Sequence, residues 1–231
     1  RALLPQKPPA PQTIDIAAFS RPADFISGDS YDFFKFRNGL DGIMIADAVG
    51  HGISAGLLMS SLQAAIRLLA PENDAPAPVL QRINRLFLHN YKFTTFATVF
   101  LASFDAATGN LTYSSAGHNP ALLYCPSDGA LTLLPPTGPA VGLVEVFKSA
   151  TEIVRLRPGD TLLLYTDGVT EAHNLQREEF GLDRLAEIVQ QQANDSAEEL
   201  LHAVRLELGR FLNGVPLEDD VTLVAFKVNQ N

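Results

Sequence analysis

Apolar residues recur along this chain in two rhythms. Residues 30–36 and 40–46 carry strand-like runs, and between them lies Asn38-Gly39, two residues that tolerate positive φ and so signal a hairpin. Asp29 and Asp47 stand equally far from Asn38. Pairing in register around that turn sets the two carboxylates side by side at the open end. Over 53–69 the rhythm becomes helical, with Ile53, Leu57, Leu58, Leu62, Ile66 and Leu69 on one broad face. The Pro-rich stretch 71–78 ends that helix. A second helix is expected at about 79–91, with Leu80, Ile83 and Phe87 spaced for one face.

The stretch 94–166 is strand-rich, with turn signals at Thr108-Gly109-Asn110, Asp128-Gly129 and Pro158-Gly159-Asp160. Phe180-Gly181 opens a helix at about 182–192. Ser196 and Glu199 form a capping-box pattern for another over 197–212, which stops at Asn213-Gly214. Residues 221–228 read as the last strand. The polar segment 168–180 is long for a connection, and reads either as a flap or as an ordinary exposed loop. The order is hairpin, helix pair, antiparallel meander, helix pair, strand. It predicts an α+β fold, two packed antiparallel sheets with helices outside. Residues 14–231 form one domain with no internal repeat. Residues 1–13 are Pro-rich and read as a linker from an upstream segment.

Composition narrows the function. The 231 residues carry a formal net charge of −9, which argues against a general nucleic-acid or anionic-membrane surface. The single cysteine, Cys125, rules out an internal disulfide and fits a reducing, cytoplasmic setting. Uninterrupted apolar runs fall short of the ~20 residues of a spanning helix, so direct membrane insertion is not expected.

The candidate chemistry lies in four aspartate motifs, each abutting an apolar strand. They are Gly28-Asp29, Asp47-Ala48-Val49-Gly50-His51-Gly52, Thr166-Asp167-Gly168 and Asp219-Asp220-Val221-Thr222. Singly each is weak, since Asp-Gly is a common turn dipeptide. Together they place carboxylates where buried strands meet solvent. Two like charges about 4 Å apart at an effective dielectric of ~20 repel by roughly 4 kcal/mol. A cluster of that kind persists when something cationic binds, and an all-oxygen site selects hard divalent ions such as Mg²⁺ or Mn²⁺.

This set of motifs resembles the PPM-type, metal-dependent protein serine/threonine phosphatases, and within them the SpoIIE/RsbU-like bacterial branch. The resemblance runs through Gly28-Asp29-Ser30-Tyr31-Asp32, Asp47 to Gly52, Ala116-Gly117-His118-Asn119-Pro120, Pro158 to Ala172, Phe180-Gly181 and Asp219-Asp220-Val221-Thr222, covering about residues 14–228. It implies an αββα sandwich and two divalent ions, Mn²⁺ or Mg²⁺, bridged by a water that attacks phosphorus in line. By position it implies Asp47 as the bridging ligand, with the Ala48 backbone carbonyl beside it. Asp167 and Asp219 would hold the other ion, with Asp220 the alternative to Asp219. Asp29 would lie in contact with an ion or one step behind. His51 is a candidate acid or a loop-shaping residue, and His118 reads as a turn histidine. Glu171 lies near enough to Asp167 to act through water.

The resemblance also implies a phosphorylated protein substrate, such as an anti-sigma-factor antagonist. It further implies an upstream sensor or response-regulator domain, and is compatible with a homodimer. Regulation is expected to act through the helix pair 53–91, which follows Asp47 directly. Two departures stand out: Ser27 replaces a usual glycine, and Arg21 is not a clear match for the wider family's phosphate-binding arginine. They leave a non-catalytic binding module as the second reading. A nuclease, as another two-metal hydrolase, is disfavoured by the lack of a basic stripe.

Overall fold

The computed structural model describes residues 13–50, 52–90 and 95–229. His51 and nearly all of the 1–13 linker therefore lie outside the described residues. Strands β1 (Ile14–Arg21), β2 (Asp29–Lys35) and β3 (Asp41–Ala48) come first, then helices α1 (Ile53–Leu69) and α2 (Pro76–Asn90). Strands β4 (Ala97–Asp105), β5 (Asn110–Ala116), β6 (Ala121–Cys125), β7 (Ala130–Leu134), β8 (Glu152–Arg155) and β9 (Thr161–Tyr165) follow. The one-turn helix α3 (Asp167–Thr170), helices α4 (Gly181–Gln191) and α5 (Ala197–Leu212), and strand β10 (Val221–Val228) complete the chain.

The strands form two five-stranded sheets, ordered β1-β10-β9-β6-β7 and β2-β3-β4-β5-β8, with every named pairing antiparallel. Period-two alternation splits each strand between two cores. Ile43 and Ile45 point between the sheets, where they join Phe100, Leu162, Leu164, Val224 and Phe226. Met44, Ala46 and Ala48 face the other way, against Leu58, Leu62, Ile66, Leu80, Ile83 and Phe87 of α1 and α2. Leu163, Tyr165, Leu223 and Ala225 likewise face Leu185, Val189, Leu200 and Val204 of α4 and α5. The result is the expected α+β sandwich, with a helix pair on each outer face.

The hairpin register is the expected one. Asp29 pairs with Asp47, and the chain reverses over 36–40 with Gly39 at φ +82°. The capping box is formed, with Glu199 N–H on the Ser196 hydroxyl at 3.2 Å and the Glu199 carboxylate on Ser196 N–H at 2.8 Å. Two boundaries differ from the sequence pattern. Helix α2 starts at Pro76 and not near 79, because the first turn of a helix has no N–H partners to lose and accepts prolines there. Strand β1 carries no turn signal at its start, and it exists because β10 offers it a full ladder from Ile14↔Val228 to Arg21↔Val221. By length and mean hydropathy, Ile53–Glu72 would suffice to cross a membrane, unlike its uninterrupted apolar runs. Its apolar face, however, packs on the β3–β4 surface as a core helix.

Candidate metal centre

The register brings four aspartates from both sheets to one end of the sandwich. Asp29 begins β2 and Asp47 lies directly across from it near the end of β3. In the other sheet, β9 ends at Tyr165 and leads through Thr166 to Asp167, while Asp219 and Asp220 lead into β10 beside it.

Each position has a local reason. Asp29 is 5% exposed, and its Oδ2 accepts the Thr166 hydroxyl at 2.7 Å. Thr166 Oγ1 in turn accepts the Thr222 N–H at 3.0 Å. One sheet's carboxylate is thus held by the other sheet's strand ends. Ser27 avoids the left-handed region, and its hydroxyl accepts the Asp29 N–H at 3.1 Å. Gly28 is close-packed: a Cβ there would stand 3.2 Å from both the Ala55 Cβ and the Gly50 carbonyl. Gly28 O accepts the Ala48 N–H at 3.0 Å, fixing the backbone beside Asp47. Gly168 matters most, because a Cβ on it would fall 2.0 Å from the Asp220 carbonyl oxygen. Only a glycine lets the Asp167 turn close on the backbone that carries Asp219.

Asp219 and Asp220 are separated by their contacts. Both Asp220 oxygens accept backbone N–H groups of the 22–28 connection, from Ala23 at 2.7 Å and Gly28 at 2.5 Å. Asp219 Oδ1 accepts only the neighbouring Asp220 N–H, at 2.8 Å, among the hydrogen bonds described.

The electrostatics are those of buried carboxylates facing one another. Burial, then Asp47, holds the Asp29 carboxyl well above the usual range. Burial, then Asp167, Asp219 and Asp220, pushes Asp47 up to about 8. Burial and Asp219 raise Asp167. Burial and then Asp167 also raise the carboxyl of Glu171, which is exposed. Among the described residues no three acidic, histidine or cysteine side chains lie close enough together, as placed, to hold a metal ion. The carboxylates interact across the gap, and their mutual repulsion is what a divalent cation would relieve. The donor set fits a hard ion: oxygen only, charged and partly desolvated. A cavity of about 960 Å³ lies elsewhere, between α1 and α5, and meets this set only at Asp29.

The other singled-out residues fall around the site. His118 is buried, with Nδ1 2.8 Å from the Thr98 hydroxyl. Arg21 ends β1 on the exposed surface. The 168–180 segment is half-anchored: Val169, Ala172, Asn174 and Phe180 are buried, and a His173↔Glu179 bridge closes its middle. The sequence pattern assigned no role to Thr166 or Asp32. Thr166 is legible only as part of the Thr-Asp-Gly motif. Asp32 is fully buried and takes a bidentate pair from Arg67 of α1 at 2.6 and 2.9 Å.

The stage II sporulation protein E family model matches residues 39–229. RsbU, a phosphoserine phosphatase of Bacillus subtilis, is 33% identical over 230 residues, covering 98% of this chain and 67% of RsbU. Protein IcfG of Synechocystis is 32% identical over 250 residues, covering 96% of this chain and 39% of IcfG. The chain therefore spans about two thirds of one curated relative and well under half of the other. Among solved structures, the SiaA PP2C domain of Pseudomonas aeruginosa superposes with a TM-score of 0.81 at 22% identity, over 93% of this chain and 86% of that one. RsbX, solved in complex with magnesium, gives 0.73 at 16% identity, over 96% and 99%. With these matches lying on the sandwich and its aspartate-bearing end, the chain belongs to the SpoIIE family of PPM-type protein phosphatases.

Proposed function

We propose that the chain hydrolyses phosphoserine or phosphothreonine on a protein, using divalent ions held at the strand ends. The observation that carries this reading is the convergence of Asp29, Asp47, Asp167 and Asp219 from both sheets, with burial and mutual repulsion raising the carboxyl pKa of Asp29, Asp47 and Asp167. Asp47 faces the other three and suits the bridging position, with the Ala48 carbonyl beside it. Asp167 and Asp219 suit the second position. Asp220 is occupied by the backbone of Ala23 and Gly28 and serves to hold the 22–28 connection.

When bound, Mn²⁺ or Mg²⁺ would acidify a water and bind phosphoryl oxygens. This chain's residues do the rest by position. Thr166 keeps Asp29 oriented, Gly168 lets Asp167 approach Asp219, and Gly28 holds the backbone beside Asp47. Phosphoryl transfer needs mainly positioning and charge stabilisation, which such a site supplies. Ser27, which would favour a non-catalytic module, accepts the Asp29 N–H here and strains nothing.

The likeness to RsbU supports a phosphoserine protein as substrate, and we extend this to an anti-sigma-factor antagonist. We place upstream control on α1 and α2, since α1 begins five residues after Ala48 and Arg67 locks it to Asp32. The direct test is hydrolysis of p-nitrophenyl phosphate and of a serine-phosphorylated protein. Activity should need Mn²⁺ or Mg²⁺ and vanish in Asp47→Asn. Full activity in excess chelator would refute the reading.

A further inference from the structure

The Ala116–Pro120 segment takes no part in the chemistry above, yet it lies at the aspartate end of the sandwich. Through it the chain leaves the Asp47 sheet at β5 and enters the Asp167 sheet at β6. Register fixes the end at which this happens. Ala116 pairs with Val99, next to Thr98, and Thr98 pairs with Asp47. On the other side Leu122 pairs with Leu163, so β6 begins beside the end of β9 that leads to Asp167.

The crossing is tightly built. Gly117 has φ +66°, and a Cβ there would stand 2.9 Å from the Ala140 nitrogen. His118 then turns into the interior and is 1% exposed. Its Nδ1 lies 2.8 Å from Thr98 Oγ1. The Tyr165 carbonyl favours the protonated ring, but Nε2 completes no well-formed hydrogen bond within the protein. Burial nonetheless pushes the imidazole down to about 4, so the ring is neutral at ordinary pH. A buried nitrogen left unsatisfied costs about 1–3 kcal/mol. An apolar spacer would avoid that cost, so the polar ring needs a reason beyond filling space.

We propose that His118 is a positioning residue: through its contact with Thr98, opposite Asp47, it anchors the crossing that carries the chain into the Asp167 sheet, and so sets the separation of the two sheets' carboxylates. The inference rests on reading the aspartates as one metal site. A second tie between the sheets, Thr166 on Asp29, engages one of the site's own carboxylates. The His118 tie engages none, and can hold the gap whatever Asp29 is bound to.

The test is calorimetric Mn²⁺ titration of the intact chain, run well below each variant's melting temperature, with folding checked by circular dichroism. Thr98→Val, nearly isosteric, and His118→Leu should each weaken Mn²⁺ binding by about 10-fold, the scale seen when outer partners of metal ligands are removed. Their double variant should lose little more than either single one, because both cut the same link. His118→Asn, whose amide reaches the place of Nδ1, should recover part of the affinity. Folded variants that melt lower but bind Mn²⁺ like the wild type would overturn the inference and leave the metal reading intact. If His118→Leu does not fold, Thr98→Val decides. A wild-type chain that takes up no Mn²⁺ would overturn both.

Discussion

Replacing Asp47 with asparagine tests the electrostatics of the metal-free site without any turnover. The Asp47 carboxyl is pushed from the ordinary 3.8 to about 8, chiefly by burial and then by Asp167, Asp219 and Asp220. That interval of about four pH units, at about 1.4 kcal/mol each, sets a ceiling of about 6 kcal/mol on the cost of ionising Asp47 in the fold. Neighbouring carboxyls share the repulsion and relax by taking up protons, which leaves about 2 kcal/mol as the working figure for one charge. The sign is that of an acid raised on folding. Its stabilising contribution is whole below pH ~4 and is lost as pH rises through about 8. In chelator at pH 8.5, Asp47→Asn should therefore melt higher than the wild type, by about 4–8 °C for a domain of this size. The difference should shrink as the pH is lowered towards 4. Adding Mn²⁺ should reverse the order, stabilising the wild type by about 2.7 kcal/mol at a hundred times its Kd and the variant hardly at all. An Asp47→Asn protein that melts at or below the wild type in chelator at pH 8.5 would refute the repulsion argument. Equal stabilisation of both proteins by Mn²⁺ would refute the ligand assignment.

Gly168→Ala should be severe despite its small size, since the added carbon meets the Asp220 carbonyl at 2.0 Å and backbone cannot swing aside. About 1–3 kcal/mol lost to urea unfolding is expected, together with weakened Mn²⁺ binding as Asp167 withdraws from Asp219. Thr166→Val removes the hydroxyl that donates to Asp29 and accepts from Thr222. It should lower stability in chelator by about 1–3 kcal/mol, and an unchanged urea midpoint would contradict the role given to this link. Arg67→Leu leaves the buried Asp32 without its bidentate partner. With the guanidinium half-exposed, about 1–3 kcal/mol is expected, less than for a fully buried pair. Asp32→Asn combined with Arg67→Leu should recover part of that loss.

Much of the architecture was legible because it rests on local rules. Asn38-Gly39 fixed a turn centre, and counting outward from it gave the Asp29–Asp47 pairing that the ladder contains. Ser196 and Glu199 marked the start of α5, and Asn213-Gly214 its end, where Asn213 takes the left-handed conformation. The start of α2 was misplaced because proline reads as a breaker in sequence, although at a first turn it breaks nothing. Strand β1 was not marked, since no turn signal stands at its start and its partner β10 is distant in the chain.

The sequence by itself singled out the residues proposed to carry the chemistry. Four aspartates at apolar strand ends, within a specific set of motifs, pointed to a divalent-ion phosphatase before any contact was known. What tertiary structure decided is which contacts neighbouring aspartates make. Asp219 and Asp220 are adjacent identical residues that no pattern can separate, and their hydrogen bonds separate them: Asp220 holds Ala23 and Gly28, and Asp219 is left to the gap. His118 follows the same logic. In the sequence it is a histidine in a turn, and its contact with Thr98 exists only once the crossing between the two sheets folds back against β4. Local pattern sets secondary structure and the kinds of side chain at strand ends. Packing of one sheet on the other sets which of those side chains meet.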